Sequence, residues 1–77
     1  MDKPSVSLFS ETTPSLSELQ ELVGGNIEVV LLPSGSQLVV NEEGMLLRLE
    51  VNWEATILAQ RPIRGHAVLL SDEALMD

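Results

Sequence analysis

The chain has 77 residues, enough for one domain, with no cysteine and a single histidine. A disulfide is excluded and a structural zinc site is disfavoured, so the core has to form from aliphatic packing. Twelve acidic residues against four basic ones give a net charge of −8, which argues against binding to a nucleic-acid backbone.

Residues 1–13 are predicted to form a flexible tail, because serine and threonine dominate the segment and proline interrupts it. An edge strand through Val6, Leu8 and Phe9 is the alternative interpretation. Compact structure is expected to begin at residue 14.

The first predicted helix follows a capping box, in which the side chains of Ser15 and Glu18 each satisfy a backbone N–H group. Glycines at positions 24 and 25 end this helix after two turns, because glycine adopts the left-handed conformation without a Cβ penalty. Apolar residues at helical spacing predict its inner face. They are Leu16, Leu19, Leu22 and Val23.

A β-hairpin is predicted next, with strands over residues 27–32 and 37–41 and the turn PSGS between them. Both faces of its first strand carry apolar side chains, so part of that strand is expected to be covered on both sides. A second turn at 41–44 leads into residues 45–51. Their pattern fits either a helix or a strand, and we interpret them as irregular or as a short extended segment.

Asn52 is a suitable N-cap for a second helix, which is predicted from Trp53 to about Ala59. Pro62 prevents its continuation. The apolar residues expected on its inner face are Trp53, Ile57 and Leu58.

A last strand is predicted over residues 66–70, followed by an acidic tail over residues 71–77. The predicted fold class is therefore α+β, with a small three-stranded, mostly antiparallel sheet and two short helices in the order α-β-β-extended-α-β. Residues 14–70 form the single domain in this prediction.

Five segments resemble, in the same order, the family called domain of unknown function 3846. They are LQELVGG at 19–25, IEVV at 27–30, LVVNEEG at 38–44, N-x-x-A-T at 52–56 and PI-x-G-x-AVL at 62–69. The resemblance covers about residues 16–70. It implies an accessory protein of phages, plasmids or bacterial genomes, and it implies no activity that can be carried over to this chain.

Catalytic residues are not predicted at any position. His66 lacks the nucleophile motif and orienting carboxylate that a hydrolytic triad needs. The pair Glu42 and Glu43 is interpreted as a solvated turn, because a hard cation needs several converging oxygen ligands. We therefore predict a protein that is not an enzyme and that uses no metal and no cofactor.

A binding module is the leading functional hypothesis. Electrostatic complementarity would bring so acidic a chain onto a basic surface of a host protein, whose activity it would modulate. Trp53 is interpreted first as a core residue, with an interface anchor as the alternative. The residues assigned to partner binding are Glu42, Glu43, Glu50, Trp53 and Glu54.

The alternative function is a homo-oligomeric protein that sequesters a nucleotide-like anion. Three of the four cations are arginines within seventeen residues, and arginine binds phosphate through planar bidentate contacts. Pairing of these arginines with surface glutamates such as Glu50 or Glu54 is the simpler interpretation. The residues assigned to anion binding are Arg48, Arg61, Arg64 and His66.

The longest apolar runs, at 29–32 and 67–70, are far shorter than the roughly 20 residues of a membrane-spanning helix. The start MDKP, followed by polar residues, does not have the pattern of a signal peptide. We expect a cytoplasmic protein without membrane contact. A positive mean hydropathy in so short a chain favours a homodimer that hides apolar surface.

Overall fold

The computed structural model describes residues 3–77. Its elements in chain order are β1 (Val6–Phe9), α1 (Leu16–Val23), β2 (Ile27–Leu31), β3 (Gln37–Asn41), α2 (Trp53–Ala59), β4 (Ala67–Leu70) and a short 3-10 helix (Asp72–Ala74). The strands form one sheet in the order β1-β4-β3-β2. Strand β4 is parallel to β1 and antiparallel to β3, and β3 is antiparallel to β2. Helix α1 packs on one face of the sheet and α2 on the other, which gives a small α+β fold with two helices.

The prediction of a three-stranded, mostly antiparallel sheet was wrong, because the sheet has four strands and is mixed. The additional strand is β1, which lies within the segment 1–13 for which composition favoured a flexible tail. It pairs with β4 from Val6 opposite Ala67 to Phe9 opposite Leu70. Val6 and Phe9 are half-buried against the two halves of the core. The partner strand lies about sixty residues away in the chain, so no local pattern indicates the pairing.

The segment after β4, predicted as an acidic tail, is held to the domain by hydrogen bonds. The Gln37 side chain donates to the Met76 carbonyl (3.0 Å) and accepts from the Met76 N–H (2.7 Å). The Thr13 hydroxyl donates to the Ala74 carbonyl at 2.9 Å, and Ala74 itself is fully buried. The Gln37 contacts join the C-terminal segment to β3, and the Thr13 contact joins it to the segment before α1.

Helix α1 has the bounds and both end signals that the sequence predicts. The capping box is formed between Ser15 and Glu18, and Gly24 takes the left-handed conformation at the C-terminus. Only half of the predicted inner face is buried, however. Leu19 and Val23 contact the sheet, whereas Leu16 and Leu22 are exposed. Around the helix axis, Leu19 and Val23 lie in the middle of the apolar face and reach the sheet. Leu16 and Leu22 lie on the two margins of that face and remain in solvent.

Helix α2 also has its predicted bounds, and the Asn52 side chain accepts a hydrogen bond from the Ala55 N–H at 3.0 Å. The predicted inner face was wrong in two of three positions. Ala55 is fully buried and Leu58 packs against the core, but Trp53 and Ile57 face solvent. The same pattern of apolar residues fits both rotations of so short a helix, and the rotation adopted is the one that buries the small Ala55 side chain.

Residues 42–48 form a run of turns, which agrees with the irregular interpretation of segment 45–51. The run is held by hydrogen bonds from the Leu47 N–H to the Glu43 carbonyl (2.8 Å) and from the Leu49 N–H to the Gly44 carbonyl (3.0 Å). Arg48 has a φ of 55°, in the left-handed region that non-glycine residues seldom adopt. The turns are therefore specified by several backbone contacts and not by local preference alone.

Two glycines with nearly equal φ, Gly65 (+84°) and Gly24 (+82°), differ in their surroundings. A Cβ at Gly65 would lie 2.7 Å from Leu49 Cδ1, whereas a Cβ at Gly24 would meet open space. We expect Gly65→Ala to lower the free energy of unfolding by about 2 kcal/mol and Gly24→Ala by about 1 kcal/mol, because only the first adds crowding to the left-handed penalty. Urea denaturation of both variants measures the difference, and equal losses would contradict the cost of crowding by showing that the Leu49 side chain moves aside.

Candidate functional site

The outer side of α2 carries two large apolar side chains in solvent. Trp53 is 71% exposed and Ile57 is 76% exposed, and residues four apart in a helix lie on the same side. Glu54 is exposed beside them, three residues before Ile57. We call Trp53, Glu54 and Ile57 the α2 face. The interpretation of Trp53 as a core residue was wrong, and the alternative, an interface anchor, stays a prediction.

A second group of exposed apolar side chains lies in the run of turns between β3 and α2. Met45, Leu46 and Leu47 are consecutive, and each is more than half exposed. We call these three residues the apolar turn. Contiguous apolar surface on a small protein commonly marks a place where another molecule binds. The backbone hydrogen bonds of this segment hold these side chains in solvent in a preformed arrangement.

The apolar turn borders an open concave site of about 550 Å³. Met45 and Leu46 form part of its wall, together with Pro62 and Ile63. Its charged lining combines members of both predicted residue sets. These residues are Glu28, Glu42, Glu43, Arg61 and Arg64.

The two arginines of the concave site already have partners. Arg61 forms an ion pair with Glu28 at 3.0 Å, with both side chains about half exposed. Arg64 donates from Nη1 to the Leu49 carbonyl at 3.1 Å. Pairing with a surface glutamate is therefore confirmed for Arg61, with Glu28 in place of Glu50 or Glu54, whereas Arg64 binds a carbonyl group. Three carboxylates against two guanidinium groups leave this site without the excess of positive charge that favours an anion.

The other residues assigned to a binding site from the sequence lie outside the concave site and the α2 face. His66 Nδ1 accepts a hydrogen bond from the Ser5 N–H at 3.1 Å, and His66 lines a different shallow site together with Glu50. Arg48 does not line either of these two sites and lies in the exposed run of turns. The structure thus brings Trp53 together with Glu54, and Glu42 and Glu43 together with two arginines, but it does not assemble either predicted set as a whole.

Some residues of the candidate surface were not assigned to a site from the sequence. Ile57 was placed in the core, and the apolar turn had no functional assignment. Helical spacing from Trp53 to Ile57 shows that they share a side, but it does not show whether that side faces the sheet or solvent. Within residues 3–77, no group of three or more histidine, aspartate or glutamate side chains is arranged to hold a metal ion.

A family model described as a domain of unknown function, DUF3846, matches residues 2–75. The chain belongs to the DUF3846 family. The match extends beyond the 16–70 range of the sequence resemblance and includes β1 and the C-terminal 3-10 helix, so both belong to the DUF3846 domain. No curated protein and no solved structure matched the chain. Across the part of the chain that the structure describes, no helix is long and apolar enough to cross a membrane.

Proposed function

We propose that this DUF3846 protein is a non-enzymatic binding module, an accessory protein of a phage or other mobile element, that docks through its α2 face on a host protein and modulates it. The observation that carries the proposal is the exposure of Trp53 and Ile57 on one side of α2. Tryptophan is one of the residues most enriched at the energetic centres of protein interfaces. In this chain it is one of only two aromatic residues.

The charge of the chain supports a basic surface on the partner. Glu54 lies within the α2 face, and Glu42 and Glu43 are exposed in the run of turns. A net charge of −8 accelerates encounter with a positively charged surface, and salt weakens this attraction. Burial of Trp53 and Ile57 would then supply most of the binding energy, and the acidic residues would supply rate and orientation.

A nucleotide-like anion is the second candidate ligand, in a homo-oligomeric protein of the kind described above. One observation favours it, since Arg61 and Arg64 line the same concave site. The ion pair between Arg61 and Glu28 and the nearby carboxylates Glu42 and Glu43 oppose it. A thermal shift with nucleotides or inorganic phosphate separates the two functions, because a ligand that binds only the folded state stabilises it by mass action.

The docking proposal is tested by replacing both apolar residues of the α2 face, Trp53→Ala with Ile57→Ala. The matched control is Leu22→Ala, a partly exposed apolar residue on the opposite side of the sheet. The wild type and both variants are immobilised, and proteins retained from a host extract are quantified at low and high salt. We expect the same retained protein on wild type and control, a loss of about tenfold or more on the double variant, and a decrease with salt.

Intrinsic fluorescence gives an independent measurement, because Trp53 is the only tryptophan. Its emission is expected to be that of a solvated indole in the free protein, and to shift to shorter wavelength when the retained partner is added. Equal retention by the double variant, or an unchanged emission in the complex, would contradict docking through the α2 face.

A further inference from the structure

Strand β2 lies at the end of the sheet, and within residues 3–77 its outer side pairs with no other strand. Hydrogen bonds from the Leu32 N–H to the Ser36 carbonyl (2.9 Å) and from the Glu42 N–H to the Asn26 carbonyl (2.8 Å) fix the register on either side of the β2–β3 pairing. Hydrogen-bonded and non-hydrogen-bonded pairs alternate in an antiparallel ladder. Even-numbered residues of β2 therefore bond to β3. The backbone N–H and C=O groups of Ile27, Val29 and Leu31 point to the open edge.

This open edge is apolar and nearly neutral in an otherwise highly charged chain. Val29 and Leu31 project from it on the α1 side of the sheet, and Leu31 is 73% exposed. Glu28 is the only charged residue of β2, and Arg61 neutralises it in the ion pair described above. Two copies of this edge can therefore approach each other without direct repulsion, even though each chain carries a charge of −8.

Helix α1 adds a third apolar group to the same side. Leu22 lies with Phe9 of β1 around a shallow site, so this flank of the helix faces the β1 end of the sheet. Helical spacing places Leu16 on the opposite flank, which faces β2. Leu16 is more than half exposed. The open edge and Leu16 therefore both present apolar side chains on the α1 side of the sheet.

The other end of the sheet is the four-residue strand β1, which has a proline just before it. The hydrogen bonds from the Ala67 N–H to the Ser5 carbonyl (2.9 Å) and from the Ser71 N–H to the Phe9 carbonyl (3.0 Å) show that odd-numbered residues of β1 bond to β4. The even-numbered residues of β1, Val6 and Leu8, face outward, and Pro4, which has no N–H to donate, lies two residues before the strand. Proline is a common device against unwanted pairing at a sheet edge, and β2 contains neither proline nor lysine.

We propose that the β2 edge pairs with the β2 edge of a second copy of this chain, antiparallel and about a two-fold axis at Val29. Ile27 of each copy then lies opposite Leu31 of the other, and Val29 lies opposite Val29. All three positions carry outward N–H and C=O groups, so the pairs among Ile27, Val29 and Leu31 are hydrogen-bonded and the two sheets join into one of eight strands. Glu28 lies opposite Val30, which keeps the two carboxylates from facing each other.

A second copy fits this edge better than a basic partner does. The edge offers no unpaired carboxylate to a lysine or arginine, whereas its apolar pairs are self-complementary in the register given by the two-fold axis. The axis runs perpendicular to the sheet, so both α1 helices lie on the same side. Leu16 of each copy then flanks the apolar strip formed by Val29 and Leu31 of both chains.

The dimer is tested with Val29→Lys, and Leu8→Lys is the matched control. Leu8 is an exposed residue that faces outward on β1, so both variants add one positive charge at a sheet edge. Sedimentation equilibrium over a range of concentrations gives the dissociation constant of the dimer. We expect Val29→Lys to raise it about tenfold or more, since the substitution places two lysines opposite each other, and Leu8→Lys to leave it within about twofold.

The register is tested with single cysteines, because the chain has none of its own. In Val29→Cys the two Cα atoms would lie about 5.5 Å apart, which is within the range of a disulfide. In Leu31→Cys they would lie about 13 Å apart along the strands. Mild oxidation or a short thiol cross-linker is therefore expected to join Val29→Cys dimers and to leave Leu31→Cys largely uncoupled.

Circular dichroism and thermal unfolding of each variant establish that the monomer remains folded, since Val29 is partly exposed and its N–H makes no bond within the sheet. Three results would overturn the proposal. They are a wild type that is monomeric at every concentration, a dimer that Val29→Lys does not weaken more than Leu8→Lys, and cross-linking that is as efficient for Leu31→Cys as for Val29→Cys. A monomer would leave the β2 edge free for a strand of another protein.

Discussion

Replacing Asn52 by alanine is expected to lower the free energy of unfolding by about 3–5 kcal/mol. The Asn52 side chain is 1% exposed and forms three hydrogen bonds. Its Oδ1 accepts from the Ala55 N–H at the start of α2, and its Nδ2 donates to the Ser5 carbonyl (3.1 Å) and the Gly65 carbonyl (2.9 Å). Alanine removes the cap and leaves two carbonyl groups without this donor. Urea denaturation followed by circular dichroism measures the loss.

A control at another asparagine and a second substitution at Asn52 help to interpret this loss. Asn26→Ala replaces an exposed asparagine and is expected to change the free energy of unfolding by less than about 0.5 kcal/mol. Asn52→Asp retains the cap acceptor but directs carboxylate oxygen at two carbonyl groups, so it is expected to be at least as destabilising as alanine. A loss below about 1 kcal/mol for Asn52→Ala would show that the cap alone matters and that the link between β1 and the Gly65 turn does not.

Removing residues 1–9 is expected to lower the free energy of unfolding by about 4 kcal/mol, a large part of the total for a domain of this size. The deletion removes the parallel ladder between β1 and β4 and the half-buried side chains of Val6 and Phe9. It also removes the Ser5 carbonyl to which Asn52 donates. Denaturant titration against the full chain measures the effect.

A chain that begins at Pro4 is the control for this deletion, because it retains all of β1. It is expected to unfold within about 0.5 kcal/mol of the full chain. If residues 1–13 formed the flexible tail that composition favours, neither deletion would change the free energy of unfolding. Equal stability of the two shortened chains would therefore support a flexible tail and contradict the four-stranded sheet.

Local signals in the sequence predict structure to the residue where they are short and chemically specific. The Ser15–Glu18 capping box, the left-handed Gly24 and the Asn52 cap each place a helix end to the residue, because a side chain and a nearby backbone group decide each of them. The strands and turn between residues 27 and 41 follow from β-branched residues around a proline and glycine turn. The family was recognisable for the same reason, since its segments are these local signals in a fixed order.

The sides of the helices were harder to predict. An apolar face on a helix of seven or eight residues is defined by two or three side chains, and in α2 the choice lay between Trp53 with Ile57 and Ala55 with Leu58. The hydrogen bonds of Asn52 to Ser5 and Gly65 anchor the start of the helix, and these partners are distant in the sequence. The surface proposed for docking was therefore only partly predictable, with Trp53 and Glu54 assigned to it and Ile57 assigned to the core.

The sequence by itself determined the α+β class, the two helices, the hairpin, the acidic character and the family, because each depends on composition or on neighbours within a few residues. Only the tertiary structure decided that β1 joins β4 and which sides of α1 and α2 are buried. It also decided that Arg61 pairs with Glu28 and that β2 has an open edge. These features depend on contacts between segments separated by 30 to 60 residues. Such contacts form only when the whole chain packs its apolar surface, so no local pattern encodes them separately.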